Sequence, residues 1–195
     1  MSFEELGPED DVEEALEILF AQKAVRFEFL GIDNPFADKE VRDFYGDIFH
    51  SGSTLVGKLH VLRLNDEIVA VRYNLTHENR IFALISSMSE RAELRPGSPG
   101  KQNILRAMQA IFEADYKICD MGSGYSDEKR QWCNVTVPLK THYIALNSRG
   151  AMTAKMHRFK YRGRKFIKEN QRLFNMFKSA RSVTRKSTGN KSGHE

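Results

Sequence analysis

The 195-residue sequence lacks the features that define several large classes of protein. No apolar run approaches the roughly 20 residues that a bilayer-spanning helix requires. The two cysteines, Cys119 and Cys133, are too few for a disulfide framework, and the six histidines show no metal-ligand spacing. The first twenty residues hold eight acidic side chains and no Lys or Arg, whereas a signal peptide begins with basic residues. We therefore expect a cytoplasmic protein without a metal.

Charge is distributed unevenly along the chain. The net charge is +4, but residues 149–195 carry 14 Lys and Arg against 2 acids, whereas residues 1–148 carry 16 against 24. A basic segment needs an anionic partner, an acidic surface of its own protein, or only water around it. Residues 179–195 are rich in Ser, Thr, Lys and Gly, and we expect them to be disordered.

Hydropathy patterning predicts a mixed α/β fold. Apolar residues recur at helical spacing over 11–30 and 37–50, and alternation between turn residues then predicts an antiparallel three-stranded meander over 58–86. A third helix is predicted to begin at Pro99 after the N-cap Ser98, with a buried stripe of Ile104, Leu105, Met108, Ile111 and Phe112. Strands over 116–121 and 139–146 and a basic amphipathic helix over 151–178 follow. No linker is evident, so one domain is predicted over 1–178.

The segment RPGSPGKQNIL, residues 95–105, lies between a predicted strand and this third helix. The first N–H groups of a helix have no internal acceptor and carry partial positive charge, so they can bind a phosphate. A glycine there lets an anion approach the backbone closely. The pattern predicts a pyrophosphate site, although an ordinary helix cap and tight turn would leave the same residues. The candidate cofactor-binding residues are Arg95, Ser98, Pro99, Gly100 and Lys101.

Acidic and aromatic residues cluster in the Gly-rich segment GSGYSDEKRQW, which follows the short strand over 116–121. Loops at strand ends commonly hold the groups that take up and release protons in a site. The acid/base candidates are Asp120, Tyr125, Asp127 and Glu128. Lys129 and Trp132 are candidates for binding a substrate. The structural alternatives are a turn cap for Asp120, a helix cap for Asp127, an ion pair for Glu128 and packing for Trp132.

The order of these elements resembles the core of the acyl-CoA N-acyltransferase (GNAT) fold, with its mixed, mostly antiparallel sheet flanked by helices. Residues from about 16 to 170 resemble the C-terminal half of the CelD/BcsL-type acetyltransferases, a branch linked to cellulose biosynthesis. The matching segments are AQKAVRFEFLG, NDEIVAVRYNL, RPGSPGKQNILRAM and DMGSGYSDEKRQW. The resemblance implies transfer of an acyl group, with acetyl-CoA as donor, to an amine or hydroxyl of a small-molecule or saccharide acceptor. The family's Tyr-Lys pair is replaced here by Glu128-Lys129, so either Tyr125, three residues upstream, substitutes for that tyrosine or the activity is weakened.

The basic helix leaves a second class of function open. Its residues 155–178 interleave aromatic and cationic side chains, which suits packing on a sheet with a wet basic face, or contact with an anionic surface such as lipid headgroups. Nucleic acid ranks below these because the chain carries no RNA-binding motif. A non-catalytic GNAT scaffold and a FemAB-like transferase that takes aminoacyl-tRNA as donor are the alternatives to acetyl transfer.

Overall fold

The computed structural model describes residues 1–50, 52, 54–124 and 126–169, except for the side chains of 164–169. The chain divides into two compact units, Met1–Val135 and Thr136–Glu195. The single domain over 1–178 stays a prediction, and the tail expected to be disordered lies outside the described residues.

The first unit is built on a five-stranded sheet in the order β1-β2-β3-β4-β5. Its strands are β1 Ser2–Leu6, β2 Val56–Leu64, β3 Glu67–His77, β4 Arg80–Met88 and β5 Ile118–Asp120. Neighbouring strands from β1 to β4 are antiparallel, whereas β5 runs parallel to β4. The predicted meander is confirmed as β2 to β4, and the mixed α/β fold with a mostly antiparallel sheet is confirmed with it.

Helices cover both faces of this sheet. The first unit contains α1 Glu13–Leu30, α2 Lys39–Asp47, α3 Pro99–Glu113 and α4 Asp127–Trp132, with a 3₁₀ helix over Ala92–Gly97. On one face, α1 and α2 pack against Leu59, Val61, Val71 and Tyr73. Because side chains alternate along a strand, the opposite face of β3 carries Arg72 and Asn74, and α3 packs on that side against β2, β3 and β4.

The start of α3 agrees with the sequence prediction, but its buried face differs from it. Pro99 is the first helical residue. Ile104, Met108 and Ile111 are buried as expected, whereas Leu105 and Phe112 are 52% and 77% exposed, so the prediction was wrong for these two. Asn103 and Ala107 take inner positions instead. Asn103 faces the polar part of the sheet, where its Nδ2 donates to the His60 carbonyl at 3.1 Å.

The second unit contains α5, Ser148–Glu169. The strand predicted over 139–146 is wrong, because these residues form no regular structure and Leu139, Ile144 and Leu146 are exposed. Alternating apolar residues satisfy a strand pattern, but a strand also needs a partner for its backbone, and no described strand pairs with this segment. Across the ranges described, none of the helices combines the length and the apolar character needed to span a bilayer.

Candidate active site

A cavity lies beside the last part of β4. Strand β5 pairs with β4 only through Arg80–Phe82, so from Ala83 onward the β5 side of β4 has no strand partner in the described chain. The cavity has a volume of about 350 Å³ and is lined by residues of α1, β3, β4, α3 and α4. That volume falls at the lower end of the range for small-molecule sites. An open strand edge and a cavity therefore meet at one place.

Positive charge predominates in this cavity. Four cations (Lys23, Arg26, Arg72 and Lys101) and two carboxylates (Glu90 and Glu128) line it. Arg26 Nη1 lies 3.0 Å from Glu90 Oε1, and Arg72 Nη2 donates a hydrogen bond to Glu128 Oε1. Lys23 and Lys101 have no carboxylate partner among the described residues. Burial, with a smaller contribution from the charge of Arg26, lowers the pKa of Lys23. The cavity is thus suited to an anionic ligand.

The structure brings part of the predicted cofactor loop to this cavity. Gly100 and Lys101 line it, whereas Arg95, Ser98 and Pro99 do not. The Ser98 N–H donates to the Arg95 carbonyl at 3.0 Å, and the Lys101 N–H donates to the Ser98 carbonyl at 2.9 Å. Since proline has no N–H, Gly100 carries the single amide of residues 98–101 without an acceptor in the described chain.

The absence of a side chain at Gly100 has a local packing reason. A Cβ atom on this residue would lie 2.9 Å from Met88 Sδ, closer than ordinary contact. The neighbour is the far end of a flexible side chain, so Met88 can move. The Ser98 side chain does not cap α3: its backbone is left-handed, with φ 46°, and its hydroxyl lies 3.4 Å from the Arg95 carbonyl.

The Gly-rich turn is held by two of the residues predicted to act in the site. Asp120 Oδ1 accepts the Gly122 N–H at 2.7 Å. Lys129 Nζ donates to the carbonyls of Gly122 and Ser123, at 3.1 and 2.6 Å. These contacts match the structural alternative for Asp120, and neither side chain lines the cavity.

The remaining candidates of this segment take different positions. Glu128 lines the cavity together with Gly100 and Lys101. Trp132 packs against the buried cluster that contains Ile81 and Ile104, outside the cavity. Asp127 lies 3.6 Å from Arg130. Tyr125 lies outside the described residues, so its role stays a prediction.

Sequence reasoning missed a row of buried polar side chains on the α3 face of the sheet. Arg72 and Asn74 on β3, His60 on β2 and Asn103 on α3 are all buried. The available signal was the segment IVAVRYNL, in which two polar residues alternate with apolar ones in a strand flanked by other strands. A polar residue that recurs on the inner face of a central strand indicates a paired group or a site.

His60 is held in its neutral form in this row. Asn74 Nδ2 donates to His60 Nδ1 at 3.2 Å, so the proton is on Nε2, which lies 3.4 Å from Glu5 Oε2 without an aligned hydrogen bond. Burial lowers the pKa of His60 to about 4, and the nearby Glu5 carboxylate only partly offsets this. His60 does not line the cavity and so is not placed to act as its base.

Comparisons with known proteins find acetyltransferases. Residues 1–130 match the family model described as an acetyltransferase (GNAT) domain. A solved structure described as a probable acetyltransferase shares 13% identity, with 73% of this chain and 100% of that chain covered and a TM-score of 0.47. A second, also assigned as an acetyltransferase and from Agrobacterium tumefaciens str. C58, shares 15% identity over 73% and 99% of the two chains, again with a TM-score of 0.47.

No curated protein matches the chain. The family model nevertheless spans all five strands and the residues from α1 to α4 that line the cavity. Because it covers about two thirds of the sequence, the match establishes that this chain belongs to the GNAT acetyltransferase family.

Proposed function

We propose that the chain transfers an acetyl group from acetyl-CoA to an amine or hydroxyl of a small-molecule or saccharide acceptor, in the cavity beside β4. Membership in the GNAT family supports acyl transfer in general, because acetyltransferases of this family use acetyl-CoA. The proposal includes a relationship to the CelD/BcsL type, which rests on the sequence segments quoted above.

The charge of the cavity is the observation that carries the proposal. CoA has a diphosphate, and a diphosphate needs cations and N–H donors that are not already engaged. Lys101 has no carboxylate partner in the described chain, and the Gly100 N–H has no acceptor there. Lys23 also lacks a carboxylate partner there, and its Nζ lies 4.8 Å from the centroid of the Phe27 ring. The two carboxylates of the cavity are each paired with an arginine, so they do not oppose an anion. The residues present therefore fit the group.

The open edge of β4 supplies a second element of the proposed chemistry. Backbone N–H groups beyond Phe82 on the β5 side have no strand partner, so they can donate to an acyl carbonyl. Removal of a proton from the acceptor needs a free base, and both carboxylates of the cavity accept from arginines. Glu128 would have to leave Arg72 before it could take this role.

Isothermal titration calorimetry with CoA and acetyl-CoA tests the proposal. We expect the affinity for CoA to fall about tenfold in Lys101→Ala, because the variant loses a charge-assisted contact with the diphosphate. A tenfold loss of affinity corresponds to roughly 1.4 kcal/mol of binding free energy. Lys117→Ala is the matched control, because Lys117 pairs with Asp115 and does not line the cavity. The absence of heat at millimolar CoA would reject the cofactor, and equal losses in the two variants would reject the assigned site.

A pair of substitutions at Gly100 separates loss of the site from steric side effects. Gly100→Ala places a Cβ against Met88 Sδ and is expected to weaken CoA binding, since both residues border the cavity. Adding Met88→Ala removes the clash. Binding that stays weak in the double variant indicates that the added methyl group itself blocks the ligand. Full recovery shows that displaced Met88 was the cause.

A second function, contact with an anionic surface, is proposed for α5. Its residues Met152, Met156 and Phe159 share one side of the helix and are exposed, and Lys155 and Arg158 are exposed as well. Exposed apolar and cationic side chains on one helix suit an interface with anionic lipid. Vesicles of phosphatidylserine should bind the chain at low salt and release it at high salt. Failure to bind at low salt would reject this function, and binding to RNA alone would assign the surface to nucleic acid.

A further inference from the structure

Arg72 is a buried cation at the cavity that is proposed to be the active site. It lies on β3, is 8% exposed and lines the cavity. Its hydrogen-bond partner in the described chain is Glu128, through Nη2 alone. A guanidinium has five N–H donors arranged to hold a carboxylate through two parallel bonds. Arg72 therefore retains donor capacity that the described residues do not use.

The unused donors of Arg72 are not sealed in the protein. Among the described side chains, the fully buried polar atoms without a hydrogen bond are His60 Nε2 and Asn103 Oδ1, and no nitrogen of Arg72 is among them. The free nitrogens therefore contact solvent, and the cavity is the space that Arg72 borders. Ser86 on β4 is directly opposite Arg72, lines the same cavity and is exposed. Directly opposite residues point to the same side of a sheet, so a hydroxyl stands beside the guanidinium.

The two partners of the ion pair differ in how easily they can separate. The Glu128 side chain is 46% exposed and belongs to the six-residue helix α4, so water can solvate its carboxylate when it leaves. The Arg72 side chain is only 10% exposed, so water replaces a lost partner less completely at Arg72 than at Glu128. A second carboxylate that enters the cavity can therefore replace Glu128 on Arg72, whereas a neutral ligand cannot.

We infer that Arg72 is the receptor for a carboxylate on the acyl acceptor, and that Glu128 occupies this position when no acceptor is bound. The acceptor is then an amine or hydroxyl compound that carries a carboxylate, such as an amino acid or an acidic amino sugar. This inference rests on the proposed function, because it takes the cavity beside β4 to be the site that binds the acceptor. When the acceptor binds, its carboxylate displaces Glu128 from Arg72, so Glu128 is released inside the site.

Pairs of compounds that differ by a carboxylate test the inference without any acyl donor. The probes are L-alanine and ethylamine, L-phenylalanine and phenethylamine, and muramic acid and glucosamine. Binding to the full chain is measured by calorimetry for the unaltered protein and for Glu128→Gln, in which the competing carboxylate is gone. We expect at least one carboxylate-bearing probe to bind at least tenfold more tightly than its partner, and more tightly still in Glu128→Gln.

A control and a combined variant exclude a general effect of charge. Glu90→Gln removes the same charge from the same cavity but frees Arg26, whose side chain is 44% exposed, and is expected to give no comparable gain. Arg72→Gln combined with Glu128→Gln leaves no unpaired charge and should abolish the preference for carboxylates. Equal binding of both members of every pair, in the unaltered protein and in Glu128→Gln, would overturn the inference.

A kinetic measurement covers the case in which Glu128→Gln does not fold. Initial rates of thiol release from acetyl-CoA are compared for the same pairs with the unaltered protein, and the carboxylate-bearing acceptors should have at least tenfold higher kcat/KM. Rates that do not depend on the carboxylate would overturn the inference. Failure of the proposed function looks different, because CoA then does not bind while the carboxylate probes still do.

Discussion

The buried histidine on β2 should make the stability of the fold fall as the pH is lowered from 7 to 5. The pKa of His60 lies at about 4 in the folded chain, against an ordinary value of 6.5. The unfolded chain therefore takes up a proton on this ring near pH 6.5, and the folded chain takes it up only near pH 4. Stability is present above pH 6.5 and is lost between these two values. At pH 5 this linkage has removed about 2 kcal/mol of the free energy of unfolding.

Urea denaturation of the full chain at pH 7 and pH 5 measures this effect. In His60→Gln the loss between the two pH values should shrink by about 2 kcal/mol, because glutamine has no proton to take up. His142→Gln is the matched control, since His142 is exposed. The charged groups around His60 are Glu5, Lys58 and Arg72. A loss in His60→Gln as large as in the unaltered protein would refute the argument.

The choice of the pH window keeps Glu5 out of this measurement. Burial alone would raise the pKa of Glu5, but the hydrogen bond and charge of Lys58, with His60, outweigh it and lower that pKa below 4.5. The contribution of Glu5 to stability is therefore present above pH 4.5 and is lost only at more acidic pH, below the interval from 7 to 5.

Two further predictions concern packing. Gly57→Ala on β2 should destabilise the fold by about 1–3 kcal/mol in urea denaturation, because a Cβ atom would lie 2.6 Å from the Phe49 ring. An unchanged denaturation midpoint would contradict this and show that the ring can move aside. On α3, Ile111→Ala should lower the free energy of unfolding by about 2–5 kcal/mol, because Ile111 is buried. Phe112→Ala should lower it by less than about 0.5 kcal/mol, because Phe112 is exposed. Equal losses in the two variants would contradict the observed orientation of the helix.

Local signals were sufficient to predict most of the sheet. The turn between β2 and β3 lies at Asn65 and Asp66, which both have positive φ, a conformation that Asn and Asp tolerate better than most residues. Alternation between such turns fixes which residues pair. Strand β1 escaped prediction because the chain over 2–6 is mostly acidic and aromatic, and it forms a strand by pairing with β2, some 55 residues away in sequence.

The site was predicted only in part, because its residues come from distant segments. Gly100 and Lys101 were found from the helix start, and Glu128 from the resemblance. The arrangement that joins them depends on Arg72, which lies 56 residues from Glu128 in the chain. No spacing rule connects two such positions. The available sign was that Arg72 is a polar residue on the inner face of a central strand. This sign gives no indication that Glu128 is its partner.

The two faces of the sheet differ in polarity, and the cavity beside β4 borders the polar part of the face under α3. The face under α1 and α2 is filled with apolar and aromatic side chains, and such a surface closes by packing. The face under α3 carries His60, Arg72 and Asn74, which need polar partners rather than close contact. Asn103 on α3 supplies one of them by donating to the His60 carbonyl at 3.1 Å. Further along the same helix, Ile104, Met108 and Ile111 pack against Ile81, so α3 closes on the sheet there with apolar side chains. The cavity lies at the other part of this face, where the polar side chains Arg72 and Asn103 line it.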